Sequence, residues 1–312
     1  MDGGELHGER RFAAQDRAPD RPAMITTLLA LIPLHAPAPI PVMGDGELPK
    51  KSAAALEETR QRALALDALR TELPADLSDA DRVRAMVRRA AAAAVALPEG
   101  STIADELREA GREALRTAAA QPRAAALLME LVTRSAARDL AFEPIMEAPL
   151  PVGFPYPAPA GEIRVVEYPQ YRMARAGMGM GRSNGAFFTL FRHISDRDIA
   201  MTAPVEMTMD MDRGRAIDMG FMYRTPDMGS AGEAGRVMVE DIEPMIVVTV
   251  GVRGRVEGTA TDEALAELEA WLAARPDWEA AGNPRLMGYN GPSVPRRRQF
   301  SEVQIPVRRV ER

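Results

Sequence analysis

Few side chains in this sequence of 312 residues have the chemistry for catalysis or metal binding. There is no cysteine, which excludes disulfides, thiolate catalysis, iron–sulfur clusters and thiolate-ligated heme. Histidine occurs only as His7, His35 and His193, so we do not expect a zinc or di-iron site built mainly from imidazole. Because the sequence has no Ser–His–Asp set, P-loop, dinucleotide fingerprint or zinc-protease motif, we do not expect an enzyme.

Methionine is concentrated between Met173 and Met228. Met207, Met209 and Met211 alternate along the chain, which places them on one face of a predicted strand. Three interpretations are open. Flexible core filling is favoured, since methionine adapts to irregular gaps. An adaptable binding surface is the second, and thioether ligation of heme or Cu(I) is the third, although a thioether alone is a weak ligand.

The first 49 residues predict a disordered leader. Met24–Leu34 is apolar and has the length of the hydrophobic core of a signal peptide. The residues before it lack a basic excess, and Pro39 would follow directly after the candidate cleavage site. A cytoplasmic location is therefore slightly favoured, with export to the periplasm as the alternative. The prolines that follow Met24–Leu34 exclude a transmembrane helix there.

Residues 50–141 predict a four-helix domain. Pro74 ends the first helix, Ser78 caps the second, Ser101 or Thr102 begins the third, and Pro122 opens the fourth. Short loops between amphipathic helices favour an antiparallel bundle that packs or docks a protein partner. Basic and acidic residues are nearly balanced in it. With a net charge of −6 for the whole chain, nucleic-acid binding is not expected.

A proline-rich linker is predicted over residues 142–160, because proline keeps the backbone extended and semi-rigid. Residues 161–312 then read as strands, a helix and strands, and the order recurs more loosely. The helices are expected at 184–194 and 261–274, and residues 225–235 are expected to be a loop. The fold class is therefore α+β.

The same region contains a familiar string, Ile-Ala-Met-Thr-Ala-Pro-Val at 199–205. It resembles the I-x-M-T-A-P-V segment of the SOUL/heme-binding-protein family. Further family-like pieces follow in family order, at 165–169, 187–194, 288–292 and 297–303. The resemblance covers about residues 160–312. It implies a distorted β-barrel with two flanking helices, related to bacterial effector-binding domains.

The resemblance also implies a hydrophobic cleft that binds heme or another porphyrin, without specifying an axial ligand. The function expected is non-covalent tetrapyrrole binding by a carrier, buffer or sensor. The alternative is a small-molecule effector-binding or protein-interaction module without physiological heme.

A porphyrin needs an apolar slot with cations at its rim. Candidate slot residues are Met178, Met180, Phe187, Phe188, Phe191 and Met201. Arg172 and Arg175 could meet the propionates. Clustered aromatic residues on a short helix more often belong to the core, and alternate arginines on a strand more often face solvent.

His193 is the candidate axial ligand of heme iron, with a surface or capping role as the alternative. Glu302 is either a pocket acid or a salt-bridge partner of a nearby arginine.

Overall fold

Helix boundaries in the first half of the chain follow its capping signals. A computed structural model describes residues 53–178, 183–210, 215–255 and 258–310. Its first four helices are α1 (Ala53–Arg70), α2 (Asp79–Ala96), α3 (Thr102–Ala118) and α4 (Pro122–Leu140). The hydroxyl of Ser78 accepts the backbone N–H of Asp81, and that of Ser101 accepts the N–H of Ala104. The predicted N-terminal helical region is confirmed.

Alanine lines the contacts among these four helices. Ala65, Ala90, Ala104 and Ala114 are fully buried, and their small side chains let neighbouring helices approach closely. None of the described helices has both the length and the apolar character needed to cross a membrane. The predicted leader, including Met24–Leu34, lies outside the described residues.

The rest of the described chain forms an antiparallel ten-stranded sheet and two helices. The helices are α5 (Ser183–Ser195) and α6 (Thr259–Ala273). The strands are β1 (Ile163–Tyr168), β2 (Tyr171–Gly177), β3 (Val205–Asp210), β4 (Arg215–Met222), β5 (Gly232–Ala234), β6 (Val237–Ile242), β7 (Met245–Arg253), β8 (Trp278–Ala280), β9 (Arg285–Gly288) and β10 (Phe300–Arg309).

The strands are hydrogen-bonded in the order β1-β7-β10-β9-β3-β4-β2-β6-β5, with β8 beside β10. The predicted α+β class is confirmed. Within the described residues β1 and β5 do not pair with each other, and closure into a barrel stays a prediction. The sequence did not predict β5 or β8, and β5 lies inside the expected loop 225–235.

Alternation along the strands gives the sheet two different faces. On the helix face, Val250, Val303 and Leu286 pair across the register and pack with α6, while Met219 and Phe221 pack with α5. The opposite face carries polar residues in line. From β10 to β2, the successive cross-strand partners on this face are Glu302, Met287, Glu206, Gly220 and Arg175.

Residues 142–160, where the sequence predicts a linker, pack on this second face. We call them the covering segment, and the face beneath them the covered face. Leu150 and Ala160 are buried in one apolar cluster with Tyr168, Met173 and Phe300. Phe154 makes edge contacts with Tyr168 and Tyr171, at 4.8 and 5.1 Å between ring centroids. The apolar residues of the covering segment therefore belong to the core.

Backbone contacts fix the path of the covering segment. The Ala203 N–H in the 199–205 string donates to the Pro149 carbonyl (3.1 Å), and the Val152 N–H donates to the Arg224 carbonyl (2.9 Å). A Cβ atom on Gly251 would lie 2.4 Å from the carbonyl oxygen of Pro159, so this close approach requires glycine.

Glu162 joins the helical region to the sheet. This carboxylate is 3% exposed and accepts hydrogen bonds from the Ser101 hydroxyl (2.6 Å) and the backbone N–H of Thr102 (2.8 Å). It thus sits at the N-terminus of α3, where the helix dipole favours negative charge. Arg62 on α1, also buried, lies 3.4 Å away.

Replacement of Glu162 by alanine should destabilise the whole chain, because it leaves the guanidinium of Arg62 buried without its acid. We expect Glu162→Ala to lower the free energy of unfolding by about 3–5 kcal/mol, measured by denaturant titration. Glu167→Ala, at an exposed position on β1, is the control and should change it by less than about 0.5 kcal/mol. Equal, small effects of both substitutions would contradict the role given to Glu162.

Candidate functional site

The predicted aromatic residues form a cluster on α5. The rings of Phe187 and Phe191 are stacked, with 6.1 Å between centroids, and Phe187 meets Phe188 and Phe221 edge-on. Helical periodicity turns Leu190 toward the sheet and leaves Phe187 and Phe191 half-buried. Phe188 points outward and is 67% exposed. The cluster is therefore part core and part surface.

Two predicted methionines join this cluster. Met178 and Met201 are partly buried against the same apolar group as Phe187 and Phe191. Met207 also packs on the helix face, in agreement with core filling. Met180 and Met211 lie outside the described residues.

The two predicted arginines do not act together, because they lie on opposite faces of β2. Arg172 donates to Asp241 (2.7 Å) and to the carbonyls of Met228 and Gly229. The partners of Arg175 are Glu240 (2.7 Å), Asp218 (2.9 Å) and Glu206 (3.5 Å). Both arginine side chains are therefore already paired, and a propionate would have to compete with these protein acceptors.

His193 is 5% exposed at the end of α5, facing the sheet. Its Nε2 lies 2.8 Å from the hydroxyl of Tyr223. Burial lowers the pKa of His193 below its ordinary value of 6.5, and the nearby Arg197 lowers it further. The neutral ring is therefore favoured. Ligation of heme iron through Nε2 would require this hydrogen bond to break.

A buried polar network on the covered face was not predicted. At its centre Arg285, 3% exposed, donates from Nη1 to the hydroxyl of Tyr171 (2.8 Å) and to Glu206 (3.0 Å). Its Nε donates to Gln304 (3.0 Å), and its guanidinium lies over the ring of Tyr168. These buried contacts of Arg285 join strands β2, β3, β9 and β10 to one another.

Glu302, which the sequence singled out, extends this network. It accepts hydrogen bonds from the hydroxyls of Tyr289 and Thr249 and from the backbone N–H of Ala158 in the covering segment (2.8 Å). Burial raises its pKa above the usual range, and these hydrogen bonds partly oppose the rise. Because Glu302 faces these donors, the salt bridge with a nearby arginine, one of the two alternatives from the sequence, does not form among the described residues.

A cavity of about 230 Å³ lies at the edge of this network. Nη2 of Arg285 is buried and has no hydrogen-bond partner within the described ranges. The volume is below the roughly 300–1,000 Å³ typical of ligand pockets, which suits a water better than a large ligand. The cavity is lined by Tyr171, Arg175, Glu206, Thr208, Ile242, Met245, Asn283, Arg285 and Pro306.

One signal in the sequence pointed to the network. Glu302 and Gln304 stand two residues apart in β10, whose other positions up to 307 are mostly apolar. Two polar residues at strand spacing place a polar stripe on one buried face. Their partners Arg285, Tyr168 and Tyr171 come from other strands, so no local pattern could identify them.

One comparison with known proteins identifies a family for the C-terminal half. Residues 159–306 match the family model described as SOUL heme-binding protein. A comparison with curated proteins gave no match.

Solved structures with weak similarity include the EcmrR C-terminal domain (17% identity, 48% of this chain and 98% of that chain, TM-score 0.39). Another is an EcmrR–DNA complex (14% identity, 66% and 81%, TM-score 0.38). A third is a hydrolase from Listeria innocua (13% identity, 48% and 94%, TM-score 0.37). TM-scores this low support no inference about fold or function.

The depressed pKa of His193 gives a prediction for stability against pH. The unfolded ring takes up a proton near pH 6.5 and the folded ring does so only at lower pH. The contribution of His193 to stability is thus complete above pH 6.5 and falls as the pH drops below it. The free energy of unfolding should therefore decrease more between pH 7.5 and 5 in the native chain than in His193→Gln. Parallel pH profiles for the two proteins would contradict it.

Proposed function

We propose that this chain, whose residues 159–306 belong to the SOUL heme-binding protein family, binds heme or a related tetrapyrrole non-covalently. In this proposal the protein is a carrier, buffer or sensor rather than an enzyme. In this proposal α5 forms one wall of the binding surface.

The observation that carries the proposal is the exposure of Phe188 beside two half-buried rings. A large aromatic side chain that is 67% exposed leaves apolar surface in contact with water. Covering such surface with a flat macrocycle gains roughly 25 cal/mol per Å², so a few hundred Å² give about micromolar binding without an iron ligand. Arg192, exposed one helical turn after Phe188, could meet a propionate in place of the paired Arg172 and Arg175.

The covered face supports this position less well. The cavity there holds about 230 Å³, less than ligand pockets usually offer, and the covering segment packs on the apolar part of that face. A tetrapyrrole that bound beneath the covering segment would displace Phe154 from Tyr168 and Tyr171 and break the hydrogen bond between Ala158 and Glu302. Binding on α5 requires neither change.

Titration of the full chain with hemin and with protoporphyrin IX tests the proposal, with absorbance and the fluorescence of Trp271 and Trp278 as readouts. We expect saturable binding of both compounds at similar affinity. Phe188→Ala should weaken both by about tenfold, because the apolar contact is lost. Leu127→Ala is the matched control, since Leu127 is a 56% exposed apolar residue on α4.

Two results would contradict the proposal: no saturable binding of either compound, or identical affinities for the native chain and Phe188→Ala. Tight binding of hemin alone would instead indicate an iron ligand. In that case His193→Ala should shift the Soret band if His193, released from Tyr223, is that ligand.

A protein partner of α1–α4 is the second candidate function. Leu127 and Leu131 lie one turn apart on α4 and are each 56% exposed, which leaves an apolar stripe on the helical region.

A further inference from the structure

Four arginines surround a cavity of about 370 Å³ between the helical region and the sheet. They come from three separate parts of the chain. The cavity lies apart from α5 and from the polar network of the covered face. Its lining is Arg138, Ala141, Phe142, Glu143, Arg253, Arg297 and Arg298.

The backbone that carries these arginines is well anchored. Arg297 and Arg298 belong to a 3-10 turn, Arg296–Arg298. The following Gln299 is buried and donates from its side chain to the carbonyls of Val294 (2.9 Å) and Gly291 (3.2 Å), while its own carbonyl accepts the Gly254 N–H (2.6 Å). The turn is therefore held in place before any ligand arrives, which lowers the entropic cost of binding.

The opposite wall is equally fixed. Arg138 lies in the last turn of α4, and Phe142 just beyond the helix stacks on Phe300, at 6.0 Å between centroids. Arg253, at the end of β7, is paired with Asp139 of α4. This ion pair joins α4 to the sheet beside the cavity.

Few of the arginines around this cavity have an acidic partner among the described residues. Arg253 has Asp139, but within the described ranges Arg138, Arg297 and Arg298 have no acidic partner. Glu143 is the acidic residue of the lining. Guanidinium groups that share a cavity repel one another. The chain has a net charge of −6, so it contains acidic residues that could have neutralised these arginines, but they lie elsewhere. An anion between these side chains would remove the repulsion.

We propose that this arginine cavity binds a small phosphate-type anion carrying two or more negative charges. Arginine presents a planar fork of N–H donors that matches phosphate oxygens in pairs. The volume admits a pyrophosphate-sized group. The three arginines without acids would supply enough positive charge for it. The site does not depend on tetrapyrrole binding.

Isothermal titration of the full chain with inorganic pyrophosphate tests this site, at constant ionic strength set with NaCl. We expect saturable one-to-one binding. Arg297→Gln combined with Arg298→Gln should weaken it at least tenfold, because paired guanidinium contacts are lost. Both side chains are exposed, and unchanged thermal unfolding would show that the fold is kept.

The matched control is Arg88→Gln combined with Arg123→Gln, which removes the same charge from exposed positions on α2 and α4 outside the cavity. Its pyrophosphate affinity should equal that of the native chain. Absence of saturable binding, or equal weakening in both double variants, would overturn the site. Weaker protoporphyrin binding with unchanged pyrophosphate binding in Arg297→Gln/Arg298→Gln would also overturn it, and would place the propionates of the tetrapyrrole there.

Discussion

The burial of charged and hydroxyl groups on one face of the sheet is the constraint on which the rest of this structure depends. Glu206, Arg285 and Glu302 are each 3% exposed or less, and a buried charge is tolerated only where it is paired and hydrogen-bonded. Each group takes its partners from a different strand. The network therefore accepts one strand register, since a slip by one residue would turn every member to the other face.

The covering segment completes this face. It supplies the Ala158 N–H to Glu302 and the ring of Phe154 to two tyrosines. The covering segment connects α4 to the first strand of the sheet. At its end, Glu162 accepts a hydrogen bond from the N-terminus of α3. The helical region is thus held to the sheet by buried contacts on both sides. This explains why the arginine cavity between them has a defined shape.

Local signals predicted much of this fold. Ser78, Ser101 and Pro122 marked helix starts because capping depends on a few neighbouring residues. Alternation of apolar and polar residues predicted the long strands, because this pattern also depends only on neighbouring residues. The three-residue strands β5 and β8 gave no period to detect. Proline content predicts a linker at the covering segment because it describes the backbone alone, whereas the burial of this segment depends on the sheet beneath it.

The candidate site was less predictable. The sequence brought together Met178, Phe187, Phe191 and Met201, which share one cluster, because they flank or lie on one helix. It could not show that Arg172 and Arg175 lie on opposite faces of β2, where they pair with acidic residues of β6 and β4 respectively. Nor could it show the hydrogen bond between Tyr223 and His193. Those pairings join residues far apart in the chain. Only the register of the sheet determines them.

Hydrogen–deuterium exchange of the full chain, with and without protoporphyrin IX, tests the central claim most directly. The proposed binding surface of the macrocycle is α5, outside the covered face. We expect slower exchange in residues 183–195 on binding and no change in residues 142–160. Faster exchange in residues 142–160 would contradict it, because the ligand would then displace the covering segment and occupy the covered face.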